Sequence, residues 1–180
     1  DVLNQFRLNG RYYCAIYEIS FDSLLYYRKS VLEGAGLKDP RTLFENDEWT
    51  WDTFLDMARQ FQQSGDGKYV IEGYNPENEF VVSTGTPIIE NDGTKLINNM
   101  NNANVERVMD LLSTLQKENL RYPLHELNGW SVNPKAWAQG DILFYGNGGT
   151  WEFEGDSGLN KFAQRFGWND DEICVVPYPR

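Results

Sequence analysis

Leu24 to Pro40 reads LLYYRKSVLEGAGLKDP, and Trp49 to Phe54, after a short acidic insert, reads WTWDTF. Leu24 to Tyr27 is an apolar and aromatic run of the length and composition of a buried strand. Lys29 to Ala35 then carries a short helical pattern, ended by Gly36, because glycine just past a helix adopts the left-handed conformation without a Cβ penalty. Thr50 offers a side-chain oxygen to the free N–H groups of the next turn, and Asp52 puts negative charge at the positive end of that helix. Strand, stopped helix and capped helix in this order indicate an α/β architecture. They carry no chemistry by themselves.

Working outward, Asn9 and Gly10 predict a turn before an aromatic strand over Arg11 to Ile19, and Asp22 to Tyr27 continues extended. Trp51 to about Gln63 reads as a helix with Phe54, Leu55, Ala58 and Phe61 on one face, stopped at Gly65. A short strand lies within Tyr69 to Tyr74, and a helix runs from Glu79 to Ser83. Pro87 to Ile89 and Lys95 to Ile97 flank Asp92-Gly93, a hairpin turn. Val105, Val108, Met109, Leu112 and Leu115 make the apolar face of a helix capped by Asn102. Asn133-Pro134 starts a short helix that Gly140 closes, Ile142 to Tyr145 is a strand, and Leu159 to Phe166 reads as a further helix before the last strand. The alternation, without repeats, indicates an α/β lobe with a mixed sheet flanked by helices.

The 180 residues fit one domain with a substantial core. A net charge of −11, from 16 basic against 27 acidic residues, disfavours a nucleic acid partner, which requires clustered Lys and Arg. No apolar run approaches the ~18 residues that span a bilayer. Two cysteines, Cys14 and Cys174, cannot make a four-ligand zinc site; both lie in apolar runs and are expected as buried small hydrophobes, with a bridge between them as the alternative. Trp49 is expected as a staple before the helix, and Trp137 in the core.

The pattern YY-x-K-x-x-x-E-x-A-G-L-x-D-P followed by T-W-D-x-F, from Tyr26 to Phe54, resembles the bacterial extracellular solute-binding proteins of family 1, the sugar-binding proteins of ABC transporters. Three further stretches agree in order: Tyr69 to Tyr74 (YVIEGY), Asn91 to Leu115, and Ala136 to Trp151 (AWAQGDILFYGNGGTW). The departures are Arg28 where asparagine is usual and the long insert Thr42 to Glu48, whose expected roles are a hinge or surface contact and a loop or permease contact. The resemblance implies one lobe of a type II periplasmic-binding-protein-like fold. Family members are roughly twice as long, as a bilobal protein requires. Residues 1–180 are then a C-terminal lobe without its N-terminal lobe, with residues 9–27 an interlobe crossover and 172–180 the start of the return crossover.

Six tryptophans, ten tyrosines and ten phenylalanines suit a carbohydrate, which packs an apolar C–H face on a ring and demands hydrogen bonds around its rim. Trp151 follows a loop whose glycines, Gly149 among them, let backbone approach a ligand, and the resemblance aligns it with the family's sugar-stacking tryptophan. Asn147 is a candidate hydroxyl partner, though asparagine beside glycine is also ordinary turn chemistry. Glu79 and Phe80 occupy the place where the family's second strand-to-helix loop reaches the cleft. A helix-start glutamate and a core phenylalanine explain them equally well. Trp130, in the loop HELNGWSVNP, walls the cleft or simply packs.

Catalytic patterns are weak. His125 is the single histidine and has no nucleophile motif around it. Glu152 and Glu154 are more simply a solvated face than a glycosidase pair. SGDGKYVIEG has too few acids for calcium, and GNGG lacks the lysine of a phosphate loop. The implied function is an extracytoplasmic binding subunit, a periplasmic protein or cell-surface lipoprotein, that binds a sugar by hinge closure and delivers it to an ABC permease. No cofactor, metal or catalysis is expected. The alternatives are a carbohydrate-binding or sensing module outside transport and, further off, a glycoside-acting enzyme.

Overall fold

The computed structural model describes residues 6–14, 24–72, 76–123, 136–137, 139–146 and 172–180. Its centre is a four-stranded mixed sheet of β3 (Leu24–Arg28), β4 (Tyr69–Glu72), β7 (Ile142–Tyr145) and β8 (Ile173–Pro177), ordered β4-β7-β3-β8. β7 runs parallel to β4 and antiparallel to β3, and β3 runs antiparallel to β8. An inner strand covered on both faces needs apolar residues at every position rather than at alternate ones. That is why LLYY and ILFY read as unbroken runs: Leu25, Tyr26 and Tyr27 are at most 1% exposed, and all four β7 residues are buried. Residues 120–122 extend the sheet beyond β4, through a parallel bridge from Arg121 to Ile71.

Two apolar clusters cover the faces. One joins Leu25, Tyr27 and Phe144 to Phe54, Met57, Ala58 and Phe61 of α3 (Trp51–Gln63) and to α5 (Ala103–Lys117). The other gathers Tyr26, Tyr122, Trp137, Ile142 and Tyr145. α1 (Lys29–Gly34) ends before Gly36, whose φ is +67°, as its sequence predicts. Thr50 caps α3 in a capping box closed by Thr53. β5 (Ile89–Asn91) and β6 (Leu96–Asn98) form the expected hairpin.

Several expectations are corrected. The aromatic strand over Arg11 to Ile19 is a strand only at β2 (Arg11–Tyr12), paired with β1 (Arg7–Leu8); Tyr13 and Cys14 leave it, and 15–20 lie outside the described residues. Cys14, two residues past the end of β2, is exposed, whereas Cys174 is buried on β8; both are free. The insert Thr42 to Glu48 is helical as far as Glu45. Pro40 sits at the first turn of α2 (Pro40–Glu45) and Asp39 accepts from the Arg41 amide, a cap and a proline at a helix start. On α5 the buried face is Val105, Val108, Leu111 and Leu115, with Leu112 half-buried and Met109 45% exposed. At about 100° per residue, choosing Leu111 rotates the stripe away from Met109.

Trp49 is more than a staple. It is 3% exposed, packs edge-on against Phe54 and donates its indole N–H to the Pro177 carbonyl. The helix expected at Glu79 begins earlier, as α4 (Pro76–Ser83). The helices expected from Pro134 and from Leu159 lie wholly or mainly outside the described residues.

Candidate functional site: the carboxyl edge of the sheet

β4, β7 and β8 are mutually parallel, so their carboxyl ends share one edge, where β3 begins. The bridge at Arg121 brings residues 122–123 to the same edge. In open α/β sheets the crevice outside the strand ends is where ligands bind, since diverging loops leave a cleft and put backbone polar groups within reach. From this edge the chain departs at Glu72 towards α4, at Pro123 towards Trp130, at Gly146 towards Asn147, Gly149 and Trp151, and at Pro177 towards the C-terminus. Every segment carrying a sequence-selected site residue therefore leaves one edge. Asn147, Gly149, Trp151 and Trp130 themselves lie outside the described residues.

Glu79, on α4, is half-buried and accepts from the Asn78 side-chain amide at 3.2 Å. Phe80 requires a correction. Its ring is 0% exposed and stands edge-on to Phe54 at 5.7 Å and to Tyr178 at 5.0 Å. With both neighbours occupied it has no face for a sugar and packs the wall behind the edge instead.

Two residues the sequence reading missed stand here. Arg121, with 10% of its side chain exposed, pairs with Glu77 of α4 at 2.5 Å. Tyr178 is buried and donates its hydroxyl to the Gly146 carbonyl, the point at which the loop towards Trp151 leaves β7. Burial drives the Tyr178 phenol well above its usual range, helped by the Glu79 and Glu77 carboxylates and opposed by Arg121. The phenol thus stays a neutral donor at any physiological pH. The available signal was Tyr178 between two prolines, a context that fixes extended backbone and leaves the ring pointing from a rigid strand.

Charge at the edge is mixed, with two carboxylates and one guanidinium in the α4–Arg121 cluster. Such groups accept and donate hydrogen bonds to hydroxyls. Among the described residues, no group of three His, Cys, Asp or Glu side chains is placed to hold a metal ion, and no helix is long and apolar enough to cross a membrane. A surface cavity of about 500 Å³, lined by Leu37, Lys38, Leu43, Glu48, Thr53 and Met57, opens between the insert and α3 and includes neither Glu79 nor Phe80.

A search of curated proteins gives no match. Among solved structures, the GacH receptor of Streptomyces glaucescens GLA.O, determined unliganded and with acarbose, is similar with a TM-score of 0.67 at 18% identity over 97% of this chain and 41% of that one. The ABC transporter associated binding protein from B. animalis subsp. lactis Bl-04, in complex with β-1,6-galactobiose, gives 0.65 at 18% identity over 97% of this chain and 40% of that one. The sugar-binding protein MalE from Xanthomonas citri gives 0.69 at 16% identity over 99% and 42%. At such identities the likeness is one of fold, and the chain spans about two fifths of the length of each. The family model described as bacterial extracellular solute-binding protein matches residues 1–171, nearly the whole sequence, and the chain belongs to that family.

Proposed function

We propose that this chain is the C-terminal lobe of a bilobal extracytoplasmic binding protein that captures a carbohydrate and presents it to an ABC importer. The observation that supports this reading is that the chain leaves one carboxyl edge at Glu72 on the way to Glu79, at Pro123 on the way to Trp130 and at Gly146 on the way to Asn147 and Trp151. Trp151 supplies the stacking ring; Asn147, Glu79 and the Gly149 backbone answer hydroxyls; Trp130 closes a side. The sugar ligands of the fold's solved relatives support a carbohydrate in preference to a peptide.

Residues 9–27 and 172–180 are the two crossovers to an N-terminal lobe. β3 and β8 lie side by side and antiparallel, so the chain enters and leaves at neighbouring points of the site edge, as a hinge between lobes requires. The ligand docks on one lobe and the other closes over it, so ligand energy shifts the open-to-closed population and the permease reads the closed form. No step makes or breaks a covalent bond. Attachment to the membrane is by a lipid on the mature N-terminus or, in a periplasmic setting, not needed.

The test is calorimetry of the full-length protein against a panel of mono- and oligosaccharides, with Trp151→Ala in parallel. Saturable binding of one sugar, weakened by about 1 to 3 kcal/mol in the variant, supports the reading. Binding unchanged by the substitution moves the site; absence of sugar binding removes the carbohydrate assignment. Product formation from a bound glycoside would replace it with an enzyme.

A further inference from the structure

The turn from α4 into β5, β5 itself, the turn from β6 into α5 and Phe6 of the amino-terminal hairpin line a surface cavity of about 660 Å³, a volume that suits a small ligand. It is separate from the carboxyl edge of the sheet. The chain leaves that edge through α4, and the cavity begins at Gly85, past the helix's last residue. Two ties hold the amino-terminal hairpin against the β5–β6 hairpin: the Asn9 amide donates to the Gly93 carbonyl at 2.8 Å, and Asn91 Nδ2 donates to the Arg7 carbonyl at 3.3 Å. Phe6, the neighbour of Arg7, stays 39% exposed at the cavity.

The polar lining is set in a complementary pair. Asn99 Nδ2 donates to the Pro87 carbonyl at 2.9 Å and to Glu90 Oε2 at 3.2 Å, and two acceptors around the nitrogen fix which way this amide is turned. What Asn99 has left to offer is an acceptor, Oδ1. Asn102 is turned the other way: its Oδ1 accepts from the Asn104 amide at 2.9 Å as the cap of α5, and Nδ2 is left as a donor. The Asn102 backbone amide bonds the Asn99 carbonyl at 2.8 Å, so both stand on one turn. An acceptor and a donor held side by side match neighbouring hydroxyls, each of which gives and takes a hydrogen bond. Phe6, Pro87 and Ile89 add apolar surface for a C–H face. Glu90 is the one charged group among the described lining residues, so an anion finds no cation there.

We propose that this cavity is a second binding site, for a neutral saccharide unit: Phe6 takes its apolar face, and Asn99 Oδ1 and Asn102 Nδ2 answer its hydroxyls. The site stands independently of the ligand at the carboxyl edge, since none of its residues lies there. Its consequence is retention, because a glycan held at the cavity raises the local concentration of saccharide near the edge.

The experiment follows the backbone amide resonances of residues 85–102 in the full-length protein during titration with maltotriose, cellotriose and laminaritriose, and with trialanine as a peptide of similar size. A saturable shift in these resonances with at least one trisaccharide, and none with trialanine, is the expected result. Asn102→Asp keeps the capping oxygen, so α5 retains its start, and exchanges the donor for an acceptor. It is expected to weaken the local binding about tenfold, and Phe6→Ala several-fold. Trp151→Ala, at the proposed edge site, should leave the local shifts as they are. No saturable shift with any of the three sugars overturns the proposal, as does binding undiminished in Asn102→Asp. Equal shifts with trialanine overturn the saccharide assignment, and loss of the shifts in Trp151→Ala overturns the second site, since they would then be relayed from the edge. Absence of sugar binding at the edge leaves this comparison intact, because the resonances read are those of the cavity.

Discussion

The indole N–H of Trp51 donates to the carbonyl of Pro179 at 2.8 Å, so the first residue of α3 holds the last proline of the chain. Trp49 repeats the contact two residues earlier, on Pro177, and Arg107 of α5 lies over the Trp51 ring at 4.8 Å. Pro179 lies beyond the last residue of β8, where no ladder continues, and the Trp51 indole gives its carbonyl a donor. Trp49→Phe removes a buried donor and part of a packed ring, and is expected to destabilise by about 2 kcal/mol. Trp51 is half-buried. Trp51→Phe is expected to cost about 1 kcal/mol, since the Pro179 carbonyl still accepts from the Ser83 hydroxyl at 3.0 Å. Urea denaturation ranks the two, and the reverse order would contradict the account.

Thr50 and Thr53 close α3 on each other: Thr50 Oγ1 accepts from the Thr53 amide at 3.3 Å and Thr53 Oγ1 accepts from the Thr50 amide at 2.8 Å. Thr53 Oγ1 also donates to the Glu48 carbonyl at 2.8 Å, joining the cap to the insert. Thr50→Ala is expected to lose about 1 kcal/mol, as caps of this kind do, and Thr50→Ser to lose much less. Equal losses would assign the effect to the threonine methyl and not to the cap.

How far the sequence carries is visible in these elements. Strands β3 and β7, the caps of α3 and α5 and the Asp92-Gly93 hairpin are legible because propensity, capping and apolar pattern agree at each. α2 is hidden in the family pattern, where Thr42 to Glu48 is a departure, although Asp39-Pro40 is a start signal of its own. Met109 was misplaced because a face one residue wide cannot choose between Leu111 and Met109 until the neighbouring helix is known. At the candidate site, the choice of loops could be made from composition and resemblance. Tyr178 and Arg121 could not, because their partners, Gly146 and Glu77, are distant in sequence and no local pattern announces the pairings. Phe80 was ambiguous for the converse reason: a ring beside a carboxylate looks the same in a core as in a cleft.

Asp39 ties α2 to β3, accepting from the Tyr27 hydroxyl and from Arg41 through both its amide and its guanidinium. Partial burial pushes the carboxyl up, but the hydrogen bonds from Arg41 and Tyr27 outweigh it and hold the group below its usual range. A carboxyl depressed by folding contributes stability that is complete above its unfolded value of about 4 and is lost as pH falls through the folded one. Asp39→Asn is therefore expected to destabilise at pH 7 and to lose less than wild type on acidification below about pH 4. Parallel pH profiles for the two proteins, by urea midpoints, would place the acid sensitivity elsewhere.

Gly140 and Gly36 both have positive φ, +77° and +67°, but only one is crowded. A Cβ on Gly140 would lie 3.0 Å from Val31 Cγ2, bringing the turn before β7 against α1, while one on Gly36 would meet nothing within 4 Å. Alanine at either position pays the left-handed penalty of about 1 to 2 kcal/mol. At Gly140 it must also displace a β-branched side chain with few alternative rotamers. The Gly140 turn donates its amide to the Trp137 carbonyl at 3.0 Å, and its carbonyl accepts from Lys68 at 2.9 Å, so the backbone is poorly placed to yield instead. Gly140→Ala is accordingly expected to cost about 1 kcal/mol more than Gly36→Ala by urea denaturation. Replacing Val31 with alanine in the Gly140→Ala protein should recover that difference, and failure to recover it would mean that the close approach to α1 is not what excludes a side chain there.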